Sequence, residues 1–287
     1  MAIASRAKEL LGTLIEIKLP EQHSHFFPIC FAELERIEAT YSRFLNSQLT
    51  KANQKLGVWQ EASDEFIYLL SKSEEFRQNT NGNFDIALKS VLDEMGYVSY
   101  SSNSKKDKIV SSNVMMIDRE NNRFMINKEI ELGGLGKGFA LDRLSSILHS
   151  HTVDHYYVNA GGDICAKKGK SELPWTIILE HPDDPSRAIG TICIDGSSIA
   201  CSSPNRRKWG NNHHLINAPT KKPATGIKAI FVTAKTGIEA DAYATGLFTA
   251  GFSQAIALSE KLPIEVLIIS SDGKMFQSKG FDAELFG

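Results

Sequence analysis

The sequence lacks several features that mark common functional classes of protein. It contains no uninterrupted run of about 18 apolar residues, so no transmembrane helix is expected. Its 32 basic residues face 34 acidic residues, and the resulting net charge of −2 argues against a protein that coats nucleic acid or an acidic membrane. No internal repeat and no Pro/Ser-rich linker is evident, which favours one compact body over separate domains.

Cysteine is also scarce. The chain has four cysteines (Cys30, Cys165, Cys193 and Cys201), and none of them forms a Cys-x-x-Cys pair. Cys193 and Cys201 have no histidine at ligand spacing, so a zinc site is not expected. We expect reduced, partly buried thiols, and a disulfide remains an open alternative.

Apolar patterning predicts both helices and strands. Residues 13–19 alternate as in a strand, and Pro28 opens a helix with an apolar face at Phe31, Leu34, Ile37 and Tyr41. Residues 64–78 form a second predicted helix, capped by Ser63. Residues 122–131 resemble a hairpin strand, and residues 101–112 a polar exposed loop.

The second half of the chain mixes short strands with helices. Apolar β-rich runs lie at residues 156–158, 175–180, 229–233 and 265–270, and a helix is predicted at residues 238–250. Because these elements follow no regular βαβ order, we predict an α+β fold. It would have mixed, largely antiparallel sheets with flanking helices in one compact, two-lobed body.

Two glycine-rich segments are candidates for ligand binding. Residues 133–138 lie between a strand and a helix, where backbone N–H groups and the helix N-terminus favour phosphate. The spacing is neither that of a P-loop nor GxGxxG, and a tight structural turn is the alternative. Residues 159–163 place paired glycines at a strand end, either for a hairpin or for close approach of a ligand.

The remaining candidates are side chains. Asp241 and Thr245 are four residues apart on a helix, so they share a face and could form a hard-oxygen site for Mg²⁺; a cap and a solvent-facing hydroxyl are the alternative. His214 precedes two apolar residues and could be a general base or a structural histidine. Residues 206–208 read as a solvated basic loop, with phosphate binding as the alternative.

Taken in order, these motifs resemble the ApbE family of flavin transferases. Residues 131–143 (ELGGLGKGFALDR) resemble the family's DLGGIGKGYAVDR block. Six further blocks follow the family's order, namely residues 11–13, 41–44 with Ser47 and Asn53, 82–86, 158–164, 214–217 and 241–248. The resemblance spans nearly the whole chain and implies a single transferase domain over residues 1–287.

The resemblance implies an FAD:protein FMN transferase. Such an enzyme splits FAD in a Mg²⁺-dependent reaction, attaches FMN through a phosphoester to a Thr or Ser of an acceptor flavoprotein, and releases AMP. It further implies Mg²⁺ ligands at Gly134, Asp241 and Thr245, with Asp241 and the base His214 as catalytic residues. The implied FAD contacts are Leu11, Phe84, Asp85, Ile86, Glu131 and Lys137.

Some positions depart from the family pattern. Glu131 stands where the family has Asp, Leu11 replaces Met, and Asn217-Ala218-Pro219 replaces Asp-Pro-Arg. The chain shows no lipobox and no secretory signal at its start, so we expect a cytoplasmic protein, or a periplasmic one if an export signal has been removed. A Mg²⁺-dependent FAD pyrophosphatase and a non-catalytic FAD-binding protein are the alternatives to transfer.

Overall fold

The computed structural model describes residues 1–97, 114–210 and 212–286. The predicted polar loop at residues 101–112 lies outside the described residues. The α-helices are α1 (Phe27–Tyr41), α2 (Gln48–Asn53), α3 (Asp64–Asn79), α4 (Lys89–Glu94), α5 (Gly136–Ser150), α6 (Gly237–Ala250) and α7 (Phe252–Ser259).

The strands of the first half are β1 (Ile3–Leu10), β2 (Thr13–Pro20), β3 (Gln60–Glu61), β4 (Met115–Asp118), β5 (Arg123–Ile126), β6 (Tyr156–Ala160) and β7 (Asp163–Lys167). Those of the second half are β8 (Trp175–His181), β9 (Asp184–Ile194), β10 (Ser197–Ser202), β11 (Lys208–Trp209), β12 (Asn212–His213), β13 (Ile216–Asn217), β14 (Lys222–Pro223), β15 (Ile227–Ala234), β16 (Glu265–Ser270), β17 (Met275–Gln277) and β18 (Ala283–Leu285).

An eight-stranded antiparallel sheet organises the molecule, in the order β1-β2-β6-β7-β10-β15-β16-β17. A three-stranded sheet, β18-β9-β8, lies on one face of it, and helices cover the other. The strand pairs of the smaller sheets are antiparallel as well. The predicted α+β class with antiparallel sheets and flanking helices is therefore confirmed.

The central strands of this sheet are buried on both faces. In β15, Ile230 and Val232 pack toward the helices, whereas Ala229 and Phe231 pack toward the three-stranded sheet. Side chains alternate across a strand, so a strand covered on both faces needs apolar residues at every position. This double burial explains the continuous apolar run at residues 229–232, which ends at the half-buried Thr233.

Most predicted elements are present, with two local differences. In α1, Cys30 rather than Phe31 is fully buried. The predicted hairpin strand at residues 122–131 pairs only at Arg123–Ile126. Beyond that strand the backbone bonds to separate segments: the amide of Ile130 donates to Asn53 Oδ1, and the amide of Glu131 donates to the carbonyl of Ile86. A chain that changes partner this often cannot continue a strand ladder.

Two expectations about the whole chain can be compared with the structure. Among the described residues, no helix is both long and apolar enough to cross a membrane. The four cysteines are free thiols, and Cys30 and Cys165 are buried. Burial raises the pKa of the Cys30 thiol to about 12, so this cysteine behaves as a small apolar side chain.

Candidate active site

Helices α5 and α6 cross in direct backbone contact. A Cβ added at Gly138 would lie 2.1 Å from the carbonyl oxygen of Gly237, so only glycine permits this approach. Asp142 strengthens the crossing because its carboxylate accepts hydrogen bonds from the amides of Gly237 (2.6 Å) and Ile238 (2.9 Å) at the start of α6. The crossing brings the first two turns of α5 against the first two turns of α6.

At this crossing an ammonium group lies between two carboxylates. Lys137, in the first turn of α5, donates to Asp163 at the start of β7 and to Asp241 Oδ1 of α6, the latter at 3.3 Å. Asp241 Oδ2 accepts from the amide of Gly138 at 3.0 Å, and Asp163 Oδ1 accepts from the amide of Cys201 at 3.2 Å. Asp241 therefore does not cap α6, which begins after Thr236.

Burial sets the electrostatics of this cluster. Asp163 is 3% exposed, and burial raises its pKa to about 6 although the Lys137 charge opposes the rise. Burial would lower the pKa of Lys137, but Asp163 and Asp241 outweigh it and raise that pKa. The lysine is therefore charged at neutral pH, and its charge lies where an anionic ligand could meet it.

Oxygen atoms that could coordinate a metal ion also line the cavity at this helix crossing. The backbone of Gly134 lies against Thr245, because a Cβ at Gly134 would be 3.3 Å from Thr245 Oγ1 and 3.1 Å from the ring of Phe84. Carboxylate, hydroxyl and backbone carbonyl oxygens are ligands that suit Mg²⁺. Within the described ranges, no group of three or more His, Cys, Asp or Glu side chains could hold a metal ion.

These groups line a cavity of about 270 Å³, here called the central cavity. Of the sequence-predicted site residues, those that line it are Phe84, Asp85, Ile86, Glu131, Gly134, Lys137, His214, Asp241 and Thr245. They come from distant parts of the chain, so the fold brings together almost the whole predicted set. The roles assigned to them individually remain predictions.

His214 and His213 are bound differently. His214 lines the central cavity, and its Nδ1 lies 3.3 Å from the carbonyl oxygen of Arg207. A carbonyl only accepts, so Nδ1–H donates and Nε2 keeps its lone pair. Burial and the Arg207 charge lower the pKa of His214 to about 3, which keeps the ring neutral.

His213 is turned away from the cavity. Its Nε2 donates to the carbonyl of Ala224 at 3.1 Å, and its Nδ1 accepts from the amide of Leu215 at 3.2 Å. The two neighbouring histidines have different partners and orientations, although the strand ends at His213 and His214 lies in a bend.

The glycine-rich turn offers fewer free amides than the sequence indicated. The amide of Gly133 donates to Glu131 Oε2 at 2.8 Å, that of Gly136 to the carbonyl of Leu132, and that of Gly138 to Asp241. A phosphate could not use these three donors without displacing internal acceptors. A phosphate at this turn would therefore need other donors, such as the charged side chain of Lys137.

Leu11 and Glu131 adjoin a second cavity of about 540 Å³, here called the side chamber. Its apolar wall consists of Leu11, Ile37, Tyr41, Phe44, Leu45 and Leu132. Leu11 lies in the turn between β1 and β2 and lines only this chamber. Glu131, Lys137 and Arg207 line both cavities, so the two spaces adjoin.

Sequence reasoning did not assign two charged residues of the central cavity, Asp163 and Arg207, to the site. Asp163 directly follows the paired glycines Gly161 and Gly162, which form the turn of the β6–β7 hairpin. This turn also packs closely against β2, because a Cβ added at Gly161 would lie 2.2 Å from Thr13 Oγ1. For Arg207 the sequence favours a solvated basic loop, with phosphate binding as the alternative; in the structure it lines both cavities and donates to the hydroxyl of Tyr97 at 3.2 Å. The paired glycines could have pointed to Asp163, whereas no local signal distinguishes Arg207 from a surface arginine.

Comparisons with known proteins agree on one family. The profile of the ApbE family matches residues 11–268. An FAD:protein FMN transferase of Buchnera aphidicola is 23% identical over 93% of this chain and 86% of its own length. The FAD:protein FMN transferase of Escherichia coli is 27% identical over 52% of this chain and 44% of its own length. The crystal structure of the ApbE protein of Thermotoga maritima has a TM-score of 0.89 at 24% identity and covers 98% of both chains, which shows the same fold.

Proposed function

The chain belongs to the ApbE family, and from this premise we propose that it transfers FMN from FAD to a protein hydroxyl. The named relatives are FAD:protein FMN transferases. The observation that carries the proposal is the convergence of Lys137, Asp163 and Asp241 with a neutral histidine in one cavity. Phosphoryl transfer depends mainly on positioning and on positive charge against the phosphates, and this cavity offers both.

In the proposed reaction the hydroxyl oxygen of an acceptor Thr or Ser attacks the phosphorus on the FMN side of the pyrophosphate. A new P–O bond forms, the bond from that phosphorus to the bridging oxygen breaks, and AMP leaves with the bridging oxygen. The hydroxyl proton passes to Nε2 of His214, whose other nitrogen is held by Arg207. The charges of Lys137 and Arg207 stabilise the phosphate oxygens as negative charge builds up.

The residues present fit a Mg²⁺ ion. Asp241, Thr245 and the backbone of Gly134 would hold it, and the ion would neutralise charge on the substrate phosphates. Lys137 then keeps Asp163 and Asp241 from repelling each other, because its ammonium lies between the two carboxylates. Without the Lys137 ammonium, the two buried carboxylates of Asp163 and Asp241 would resist ionising together.

The test uses FAD, Mg²⁺ and a flavoprotein domain that accepts phosphoester-linked FMN, with products followed by intact-protein mass spectrometry and nucleotide chromatography. Transfer predicts a mass gain equal to FMN on the acceptor and one AMP per adduct. An acceptor with its Thr changed to Ala should stay unmodified, and one with Ser should react. FMN and AMP without an adduct would indicate a hydrolase, and unchanged FAD would indicate binding alone.

A further inference from the structure

A third cavity, of about 470 Å³ and here called the sheet groove, lies between the eight-stranded and the three-stranded sheet. Its floor is the eight-stranded sheet, through Ile164 of β7, Ile199 of β10 and Phe231 of β15. Its wall is β8, of which five consecutive residues, 176–180, line the groove. Successive side chains of a strand point to opposite faces, so a strand that lines a cavity with five residues in a row turns its backbone edge toward that cavity.

No strand pairs with this edge of β8 in the part of the chain that the structure describes. β8 is the last strand of the order β18-β9-β8, and its other edge pairs with β9. An edge strand can pair with a further strand, and proteins usually prevent this with short edge strands or charged residues. The edge strands β17 and β18 have three residues each, and β1 carries Arg6, Lys8 and Glu9. Residues 175–179 of β8 carry no charge, so this edge is suited to a partner strand.

The sheet groove adjoins the central cavity. Cys201 and Ser203, near the end of β10, line both spaces. In the turn of the β6–β7 hairpin, Gly161 lines the central cavity and its neighbour Gly162 lines the groove. The residues at this junction have small side chains or none, so they leave room for an extended chain. A strand that lies along β8 therefore passes beside the cavity in which the proposed transfer takes place.

The position of the groove indicates which partner strand it suits. In the proposed reaction the acceptor hydroxyl must reach the phosphorus of FAD, so the residues on either side of the acceptor Thr or Ser must lie against the surface next to the central cavity. An extended acceptor segment meets this need, because the edge of β8 binds its backbone and the apolar floor contacts every second side chain. A second copy of this chain has no comparable need to approach the central cavity.

We propose that the sheet groove binds the acceptor flavoprotein through an extended segment that carries the Thr or Ser and pairs with β8 as an added strand. The inference rests on the proposed function, because it takes a protein hydroxyl as the acceptor. The apolar floor at Ile164, Ile199 and Phe231 selects a segment with apolar side chains at alternate positions. Because β8 lines neither the central cavity nor the side chamber, binding of FAD and binding of the acceptor can be measured separately.

Hydrogen exchange locates the acceptor on the enzyme. The enzyme is compared alone and with an acceptor flavoprotein domain whose Thr is changed to Ala, at a concentration at which calorimetry shows a complex. Peptides that cover β8 (Trp175–His181) should exchange about tenfold or more slowly in the complex, because amides at this edge gain partners. Peptides that cover the other long edge strand, β1, should be unchanged. A complex without protection at β8 would overturn the inference.

Ile178→Lys tests the same edge by kinetics. Ile178 is 68% exposed, so the substitution should cost little stability, and a lysine on an edge strand opposes pairing. At saturating FAD the acceptor KM should rise about tenfold or more, whereas the FAD Kd and the kcat at saturating acceptor should stay within about twofold. Ile3→Lys is the matched control, since Ile3 is an exposed isoleucine of the edge strand β1 and lines none of the three cavities.

The outcomes separate this inference from the proposed function. FMN transfer with an acceptor KM that is the same in both variants would overturn the inference and leave the proposed function standing. Protection of β8 by the acceptor domain, with no FMN adduct on the unmodified acceptor, would overturn the proposed function. Protection of β8 that appears without acceptor as the enzyme concentration rises, together with a dimer in sedimentation, would assign the edge to a second copy of this chain and overturn the inference.

Discussion

His213 and His214 are sequence neighbours with different capacities for proton transfer. Both ring nitrogens of His213 are committed to backbone partners, whereas His214 has one nitrogen held by Arg207 and the other left as an acceptor in the central cavity. A general base needs an available lone pair and a fixed orientation. Only His214 has both.

His214→Ala should slow FMN transfer by about 10²–10⁴, the usual worth of general acid–base catalysis, and change FAD affinity only a few-fold. His213→Ala is the control and should have a milder effect, because His213 does not line the cavity. Single-turnover rates and equilibrium binding of FAD measure the two quantities. Equal losses in both variants would indicate that the segment has been disrupted, and a large rise in the FAD Kd alone would make His214 a binding residue.

The pH profile provides a second check at His214. Its pKa is lowered to about 3, so the free enzyme carries a neutral ring across the neutral range and gains a proton only in strong acid. Because kcat/KM reports ionisations of the free enzyme, His214 should contribute no acidic limb near pH 6.5. An acidic limb near that pH that disappears in His214→Ala would contradict this assignment.

Asp241 and Glu239 lie on the same helix with different surroundings. Asp241 faces Lys137 and the central cavity, whereas Glu239 accepts from the Thr236 hydroxyl at 2.8 Å and supports the start of α6. Asp241→Asn can still accept from Gly138 but loses its charge, so Mg²⁺ affinity and turnover should fall about tenfold or more. Glu239→Gln is the control and should leave Mg²⁺ affinity and turnover unchanged. Titrating the activity of both variants with Mg²⁺ measures the two quantities. Full activity of Asp241→Asn at limiting Mg²⁺ would show that Asp241 does not bind the ion.

At the scale of elements, the crossing of α5 and α6 positions two charged groups of the central cavity, those of Lys137 and Asp241. Gly138 and Gly237 let the two backbones touch, and Asp142 bonds α5 to the start of α6. Lys137 is adjacent to Gly138, and Asp241 accepts from the amide of Gly138. A change in the helix separation therefore moves the two charged groups relative to each other.

Gly138→Ala should separate the helices, because the new Cβ would lie 2.1 Å from the Gly237 carbonyl. We expect a loss of about 1–3 kcal/mol in the free energy of unfolding and a loss of turnover of up to about 10²-fold from misplaced groups. Gly136→Ala is the matched control, since nothing lies within 4 Å of its Cβ position. Denaturant unfolding and turnover measure both effects, and normal turnover in Gly138→Ala would show that the close crossing is not required.

At the scale of the molecule, the eight-stranded sheet separates two apolar layers. The central cavity and the side chamber lie among the helices and loops, whereas the three-stranded sheet packs on the opposite face around residues such as Ile177, Ile192 and Phe281. Phe281, just before β18, is 1% exposed and fills this second layer. The second layer should therefore affect stability more than chemistry.

Phe281→Ala should lower the free energy of unfolding by about 3–5 kcal/mol, as expected for a large buried aromatic. Phe286→Ala should have little effect, because Phe286 is 54% exposed. The FAD affinity of the folded protein should be unchanged in both, since neither residue lines the central cavity or the side chamber. Chemical denaturation measures stability; similar midpoints for the two variants would contradict this account of the second layer.

The sequence by itself determined most elements and named nine of the residues that line the central cavity. Alternation in residues 13–19, the Ser63 cap and the four-residue spacing of Asp241 and Thr245 depend on local geometry, which follows from neighbouring residues alone. The ordered motifs likewise indicated which distant segments would meet. Each of these signals can be recognised in the sequence because the residues that form it lie within a few positions of one another.

Only the tertiary structure decided which charges are buried and what they contact. Lys137 meets Asp163 and Asp241 across 26 and 104 positions, and Arg207 enters both cavities although its neighbours suggest a solvated loop. Three amides of the glycine turn, those of Gly133, Gly136 and Gly138, also donate to internal acceptors, among them Asp241. The physical reason is that burial and hydrogen-bond partners depend on the surface presented by distant segments, and an arginine or an amide carries the same local pattern whether water or protein surrounds it.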